Sequence, residues 1–189
     1  MQLRTATPSE WLDAVLADFD TFLLDHAANE RKASASALTF IVRYPDKTEI
    51  IEPLIQLARE ELTHFHRVYK WIAARGLIFK RDEKDPYLHA LRKSLPNNPE
   101  EDLLNRLIMA GVVEARGCER FRMVGEAITD PELAQFYTDL ALSEARHAEL
   151  FEELARHYYE DTRVSDRRDT LLEHEAHIIK DLPIRSALH

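Results

Sequence analysis

Residues 50–71 read IIEPLIQLAREELTHFHRVYKW. The apolar positions Ile50, Leu54, Leu57, Val68 and Trp71 step by alternating threes and fours, the spacing that keeps side chains on one face of a helix. Glu61 and His64 belong to the same series, so a carboxylate and an imidazole stand where core side chains are due. A charge placed on the apolar seam of a helix is costly to bury unless it meets a counter-charge or a metal ion.

Three further stretches repeat the pattern. One runs Leu16, Phe19, Leu23, His26, Glu30, Ala33, Ala37, Phe40, Tyr44. Another runs Leu104, Leu107, Gly111, Glu114, Cys118, Phe121, Gly125, Ile128, and the last runs Leu133, Tyr137, Leu140, Glu144, His147, Phe151, Leu154. Each seam is broken near its middle by a glutamate, and two of the glutamates are followed three residues on by a histidine. Such a pair lies on adjacent turns of one helix face and can reach one ion. A lone Glu-x-x-His is weak evidence, because short motifs recur by chance. The joint placement of four inward glutamates and two histidines carries the weight.

The turn signals fix the register. Glu30 and Glu61 are 31 residues apart with Tyr44-Pro45-Asp46 between them; Glu114 and Glu144 are 30 apart with Thr129-Asp130-Pro131 between them. In both cases the breaker falls at the midpoint, so each helical hairpin returns its second glutamate to the level of its first. The offsets from Glu30 to Glu114 and from Glu61 to Glu144 are 84 and 83 residues, which makes the hairpins an internal duplication in pattern. Long helices are expected at about 11–44, 47–75, 99–128 and 131–160, with a crossover at 77–98 and a shorter C-terminal helix at about 165–180. The last residues are expected to fray. The fold class this implies is all-α, a ferritin-like four-helix bundle with one long crossover and an additional C-terminal helix, in a single domain spanning 1–189.

Glu, Glu-x-x-His, Glu, Glu-x-x-His is the donor set of di-iron and di-manganese carboxylate bundles. Here it reads Glu30, Glu61, His64, Glu114, Glu144 and His147. Hard carboxylates with one imidazole for each ion suit iron first and manganese second, and leave positions where molecular oxygen can bind. A ferritin-like storage protein or ferroxidase would use the same donors. A metal-free helical interaction protein would carry them as a buried ionic network. Gly111, Gly117 and Gly125 lie inside the third helix, and together with Cys118 they either open a substrate cavity beside Glu114 or allow close helix packing. His26, one turn before Glu30, is either a partner of that carboxylate or a core histidine. His174-Glu-Ala-His177 is one residue short of a zinc motif. Tyr69, Tyr158 and Tyr159 are read as packing residues.

Composition narrows the functional classes. The formal charge of −9 argues against broad non-specific nucleic-acid binding, although cations cluster at Lys80, Arg81, Lys84, Arg92 and Lys93, at Arg116, Arg120 and Arg122, and at Arg163, Arg167 and Arg168. One cysteine, Cys118, cannot build a rubredoxin-like or iron–sulfur centre, so electrons would come from an external donor. No stretch approaches a membrane span and the start lacks a signal-peptide core, which reads as a cytoplasmic protein.

Three strings carry a resemblance: Glu60-Glu-Leu-Thr-His-Phe-His-Arg-Val, Gly111-Val-Val-Glu-Ala-Arg-Gly-Cys-Glu-Arg-Phe and Leu142-Ser-Glu-Ala-Arg-His-Ala. Through them the chain resembles the bacterial non-haem di-iron tRNA hydroxylases called MiaE, from about Trp11 to beyond Tyr159. The resemblance implies oxygen-dependent hydroxylation of the isopentenyl group on 2-methylthio-N6-isopentenyladenosine, the purine beside the tRNA anticodon. It also implies two iron ions on the six residues named above and an external reductase. For a tRNA substrate the cationic clusters become candidate phosphate contacts. The oligomeric state stays open.

Overall fold

The computed structural model describes residues 1–79, 81–82 and 84–189. Within them the chain is helical, without strands: α1 is Ser9–Ala17, α2 Phe19–Arg43, α3 Thr48–Ala74, α4 Pro86–Lys93, α5 Asp102–Ala127, α6 Pro131–Arg156 and α7 Asp161–Asp181, with a 3-10 turn at Pro99–Glu101. Helix ends follow the local chemistry. The Asp18 carboxylate accepts from the Thr21 N–H and starts α2, while Asp130 accepts from Glu132 and Leu133 ahead of Pro131 and starts α6. Gly76, at φ 66°, ends α3 through paired bonds from Gly76 N–H to the Ala73 carbonyl and from Leu77 N–H to the Ile72 carbonyl.

Asp18 also corrects the expected first helix. Its side chain caps α2, so the span read as one helix from about 11 to 44 is two. Across that break the apolar seam slips: Val15 is fully buried and Leu16 is 44% exposed. A smaller slip occurs at the end of α3, where Ile72 is buried and Trp71 only partly so, the drift expected when a straight helix carries a seven-residue repeat. The crossover hides a helix the sequence reading missed, α4, capped by Asp85 with Pro86 in its first turn.

The contacts divide the chain into two compact units. Unit 2 comprises Asp13–Glu83 and Ile184–Leu188 and is built on the α2–α3 hairpin. Phe22, Leu23, Ile50, Leu54 and Val68 are wholly buried, each burial contributing about 1.5–3 kcal/mol. The Ser34 hydroxyl donates to the Ala58 carbonyl at 2.8 Å and fixes the register of the two helices. The C-terminal segment of this unit does not fray: the Leu188 N–H donates to Asp25 at 2.7 Å and the Ser186 hydroxyl to the Asp18 carbonyl.

Unit 1 comprises Met1–Leu12, Lys84–Pro183 and His189, and is built on the α5–α6 hairpin with α7 packed on α5 and α4 on α7. Its centre is ionic. Arg116 is fully buried and its Nε and Nη2 reach the two Glu175 oxygens at 2.8 and 2.9 Å. The remaining donors go to the Thr5 carbonyl, the Thr7 hydroxyl and Glu119. Tyr87 Oη donates to Glu175 at 3.2 Å, and burial beside that carboxylate pushes the phenol well above its ordinary value. Arg120 lies 4.7 Å over the Trp11 ring, its guanidinium lowered to about 10 by burial and by Arg116. His189 stacks on Tyr87 at 5.0 Å. No helix of the described residues is long and apolar enough to cross a membrane.

A buried carboxylate that satisfies a buried guanidinium leaves a stranded charge when it is deleted. Glu175→Ala is expected to lower the unfolding free energy by about 3–5 kcal/mol in urea titration. Tyr87→Phe removes one hydrogen bond from the same network and is expected to cost about 1 kcal/mol.

Candidate functional site

In unit 2 the α2–α3 hairpin brings Glu30, Glu61 and His64 together, all buried, with one donor atom from each within 4.8 Å of the others. His64 Nδ1 is 3.4 Å from Glu61 and 3.6 Å from Glu30. His26, fully buried, sets its Nε2 2.6 Å from the second Glu30 oxygen. One turn of α2 thus supplies both a carboxylate and an imidazole in contact with it. Burial raises Glu30 to about 8, against the lowering effect of the His64 hydrogen bond. Burial alone would lower His64, but the Glu30 and Glu61 carboxylates beside it outweigh that effect and hold the ring at about 10. Both shifts have one meaning: without an ion, this cluster keeps protons at neutral pH.

In unit 1 the α5–α6 hairpin brings together Glu114, Glu144 and His147, again with donor atoms within 4.8 Å of one another. His147 Nδ1 lies 3.2 Å from Glu144, and only Glu114 is partly exposed. Each unit therefore presents two carboxylates and one imidazole in an apolar interior. That donor set suits a divalent cation, which would neutralise the carboxylates and displace the retained protons.

The glycines of α5 separate into two kinds. A Cβ at Gly125 would sit 3.2 Å from the Ala134 carbonyl and from the Thr138 N–H nitrogen, and one at Gly111 would meet the Ala148 carbonyl at 3.1 Å. These two allow α5 and α6 to approach closely, which overturns the cavity reading for Gly111. Gly117 is different: its nearest neighbour is the Glu144 Cγ at 3.8 Å, so space remains beside that carboxylate. Cys118 is buried one turn from Glu114, and burial pushes its thiol up, with Arg122 opposing at 3.7 Å from the sulfur. It stays a neutral thiol at neutral pH.

The expected phosphate contacts fare unevenly. Arg116 and Arg120 are buried in the ionic centre of unit 1 and cannot meet a phosphate. Arg163 and Arg167 both clamp Glu101, at 2.5 and 3.0 Å, and hold that carboxyl at about 2; Arg168 pairs with Glu152 and Asp169. Arg81, Lys84, Arg92 and Lys93 are exposed, and Lys80 lies outside the described residues. His174 and His177 are exposed while Glu175 between them is buried against Arg116, so that motif is structural. Tyr69, expected to pack, is 45% exposed.

Three outcomes follow from this geometry. Loading with a divalent cation is expected to release protons, and its apparent affinity to rise between about pH 6 and about pH 8, because the ligating forms of Glu30 and His64 are deprotonated; calorimetry in buffers of differing ionisation heat measures both. Gly125→Ala is expected to destabilise by about 1–3 kcal/mol through overpacking against backbone that cannot retreat. Gly117→Ala, with room for the methyl, is expected to stabilise by about 0.5–1 kcal/mol through helix propensity, as read from urea midpoints.

Comparison with known proteins adds identity to the geometry. A family model described as tRNA-(MS[2]IO[6]A)-hydroxylase (MiaE) matches residues 1–189. A Pseudomonas putida protein named tRNA 2-(methylsulfanyl)-N(6)-isopentenyladenosine(37) hydroxylase is 35% identical over 163 residues, covering 86% of this chain and 79% of its own length. A Salmonella typhimurium protein of the same name is 32% identical over 108 residues, covering 57% of this chain and 40% of its own. Among solved structures, a Synechococcus protein with aldehyde deformylating oxygenase activity superposes with a TM-score of 0.91 at 32% identity, over 98% of this chain and 92% of that one. The all-α, ferritin-like fold class expected from the four seams is the one found. With its whole length matched and a relative of this similarity, the chain belongs to the MiaE family of tRNA hydroxylases.

Proposed function

We propose that this protein hydroxylates the isopentenyl group of 2-methylthio-N6-isopentenyladenosine in tRNA, using two iron ions held by its two three-donor sets. The family match over residues 1–189 carries the substrate, and the paired donor sets support the metals. Glu30, Glu61 and His64 of unit 2 and Glu114, Glu144 and His147 of unit 1 would be the iron donors, with manganese the less suited ion. Bound iron supplies the activation of molecular oxygen, one atom entering a C–H bond and the other leaving as water, at the expense of two electrons and two protons.

The remaining work belongs to the polypeptide. His26, donating from Nε2 to Glu30, fixes which carboxylate oxygen faces the ion. Leu57 and Val68, on the same α3 seam as Glu61 and His64, are buried and keep water from the donors. Cys118 remains protonated and so does not compete as a thiolate ligand. An external donor would supply the electrons, and the cytoplasm is where the protein would meet a tRNA substrate.

A second reading rests on the Synechococcus structure, whose named activity makes an aldehyde the competing substrate. A ferritin-like iron store is the third. The decisive comparison uses tRNA nucleosides from cells with and without the protein, together with iron-loaded protein supplied with reductant, oxygen and prenylated tRNA. Hydroxylated nucleoside by mass spectrometry is the expected result; shortened aldehyde product with unchanged tRNA would instead establish the second reading. His26→Ala is expected to lower iron affinity by about 10–100-fold while leaving the six donors in place, measured by chelator competition.

A further inference from the structure

The outer face of α3 carries a feature that the metal site does not use. Arg59, Leu62, Thr63, Phe65, His66 and Tyr69 line an open groove of about 510 Å³. Leu62, Tyr69 and Phe79 are 55%, 45% and 40% exposed, more apolar surface than a solvent-facing helix needs. The rings are ordered against one another. Tyr69 and Phe79 stack at 5.9 Å with their planes 10° apart, and Phe65 leans on Phe79 at 6.0 Å. Phe79 is also a wall of a second recess of about 220 Å³, which Lys32 and Arg81 enter. Of the acids there, Asp82 is paired with Arg31, while Asp25 accepts from two neutral donors, Asn29 and the Leu188 N–H. Lys32 and Arg81 form no such pair among the described residues.

We propose that this face of unit 2, the Phe65–Tyr69–Phe79 rings with Arg59 on one side and the Lys32–Arg81 recess on the other, is a docking surface for single-stranded RNA. It rests on the tRNA reading and names where the anticodon loop seats. Planar rings that are half exposed accept unstacked bases, and flanking cations take the phosphates between them. On a chain of net charge −9, cations left unneutralised beside aromatic rings also orient a polyanion. Arg59, Leu62, His66 and Tyr69 occupy the same turns of α3 as Glu61 and His64 but the opposite side. Nucleotides seated here would therefore lie about one helix diameter, roughly 10–12 Å, from those donors.

The test measures binding of an anticodon stem-loop RNA by fluorescence anisotropy at fixed salt, with the iron-loaded full chain. Tyr69→Leu and Phe79→Leu are each expected to raise Kd by about 5–100-fold, while Tyr69→Phe stays within about twofold of the parent. Lys32→Gln with Arg81→Gln is expected to reduce the slope of log K against log salt by about 1. Hydroxyl-radical footprinting of the unaltered protein should show Tyr69 and Phe79 protected by RNA, an observation independent of any variant's folding. Unchanged Kd in both leucine variants, with the parent binding normally, overturns the docking surface and leaves the hydroxylase reading intact. A parent that neither binds nor modifies the RNA overturns both. Turnover lost in the leucine variants only when a protein reductase supplies the electrons, with RNA affinity unchanged, overturns the proposal and assigns the face to the electron donor.

Discussion

Carboxylates buried at mid-seam are the constraint on which the rest of the molecule depends. Two of them in one apolar hairpin repel each other and lose their hydration, and their partner imidazole alone leaves the set one negative charge in excess when both are ionised. Unit 2 without an ion answers by retaining protons, with Glu30 raised to about 8 and His64 to about 10. A cation answers better, since it meets the charges without protonating the donors. Hairpin geometry makes this possible at little conformational cost, because a breaker midway between two glutamates brings them level. The same register in both hairpins gives two sets of equal composition.

Burial of charge takes a second form here, and the contrast separates structure from chemistry. Arg116 and Glu175 are as deeply buried as the candidate metal ligands, yet their bonding is complete: the five guanidinium N–H groups go to Glu175, Thr5, Thr7 and Glu119, and Tyr87 adds a further bond to Glu175. A saturated network has no capacity left for a ligand. It ties the N-terminal segment, α4 and α7 to α5, the helix that also carries Glu114, and so holds that donor's backbone rigidly. The Glu114, Glu144 and His147 set consists of acceptor oxygens and imidazole nitrogens, the composition that a metal ion completes.

Much of this was legible in the sequence because periodicity reports local geometry. Leu23, Leu54, Leu107 and Leu140 lie on their seams and are buried, and Glu30, Glu61 and His64, like Glu114, Glu144 and His147, come close to one another. What escaped was set by contacts between distant residues or by competition at a single position. Glu175 and Arg116 are 59 residues apart, and nothing local distinguishes Arg116 from the exposed Arg122. Asp18 could have stayed on a solvent face of one long helix; as a cap it divides the helix and rotates Leu16 outward. Gly111 and Gly117 read alike along the chain, and it takes the tight neighbours of the first, Met1 and the Ala148 carbonyl, against the ordinary contact of the second with Glu144, to tell them apart.

A set of buried carboxylates and imidazoles suits a metal ion and says little about the substrate. A solved protein of the same fold carries a name for a different oxygenase activity, so this scaffold supports more than one reaction. Selection must then come from surfaces outside the six donors, and in each unit these surfaces lie close to them in sequence. α3 presents Glu61 and His64 inward and Leu62, His66 and Tyr69 outward from the same turns, while α5 presents Glu114 beside the unfilled position of Gly117. A helix that holds a ligand on one side and a recognition surface on the other couples the two through its own rigidity. Changes of substrate can then accumulate on the outer residues without disturbing the buried charges that the fold requires.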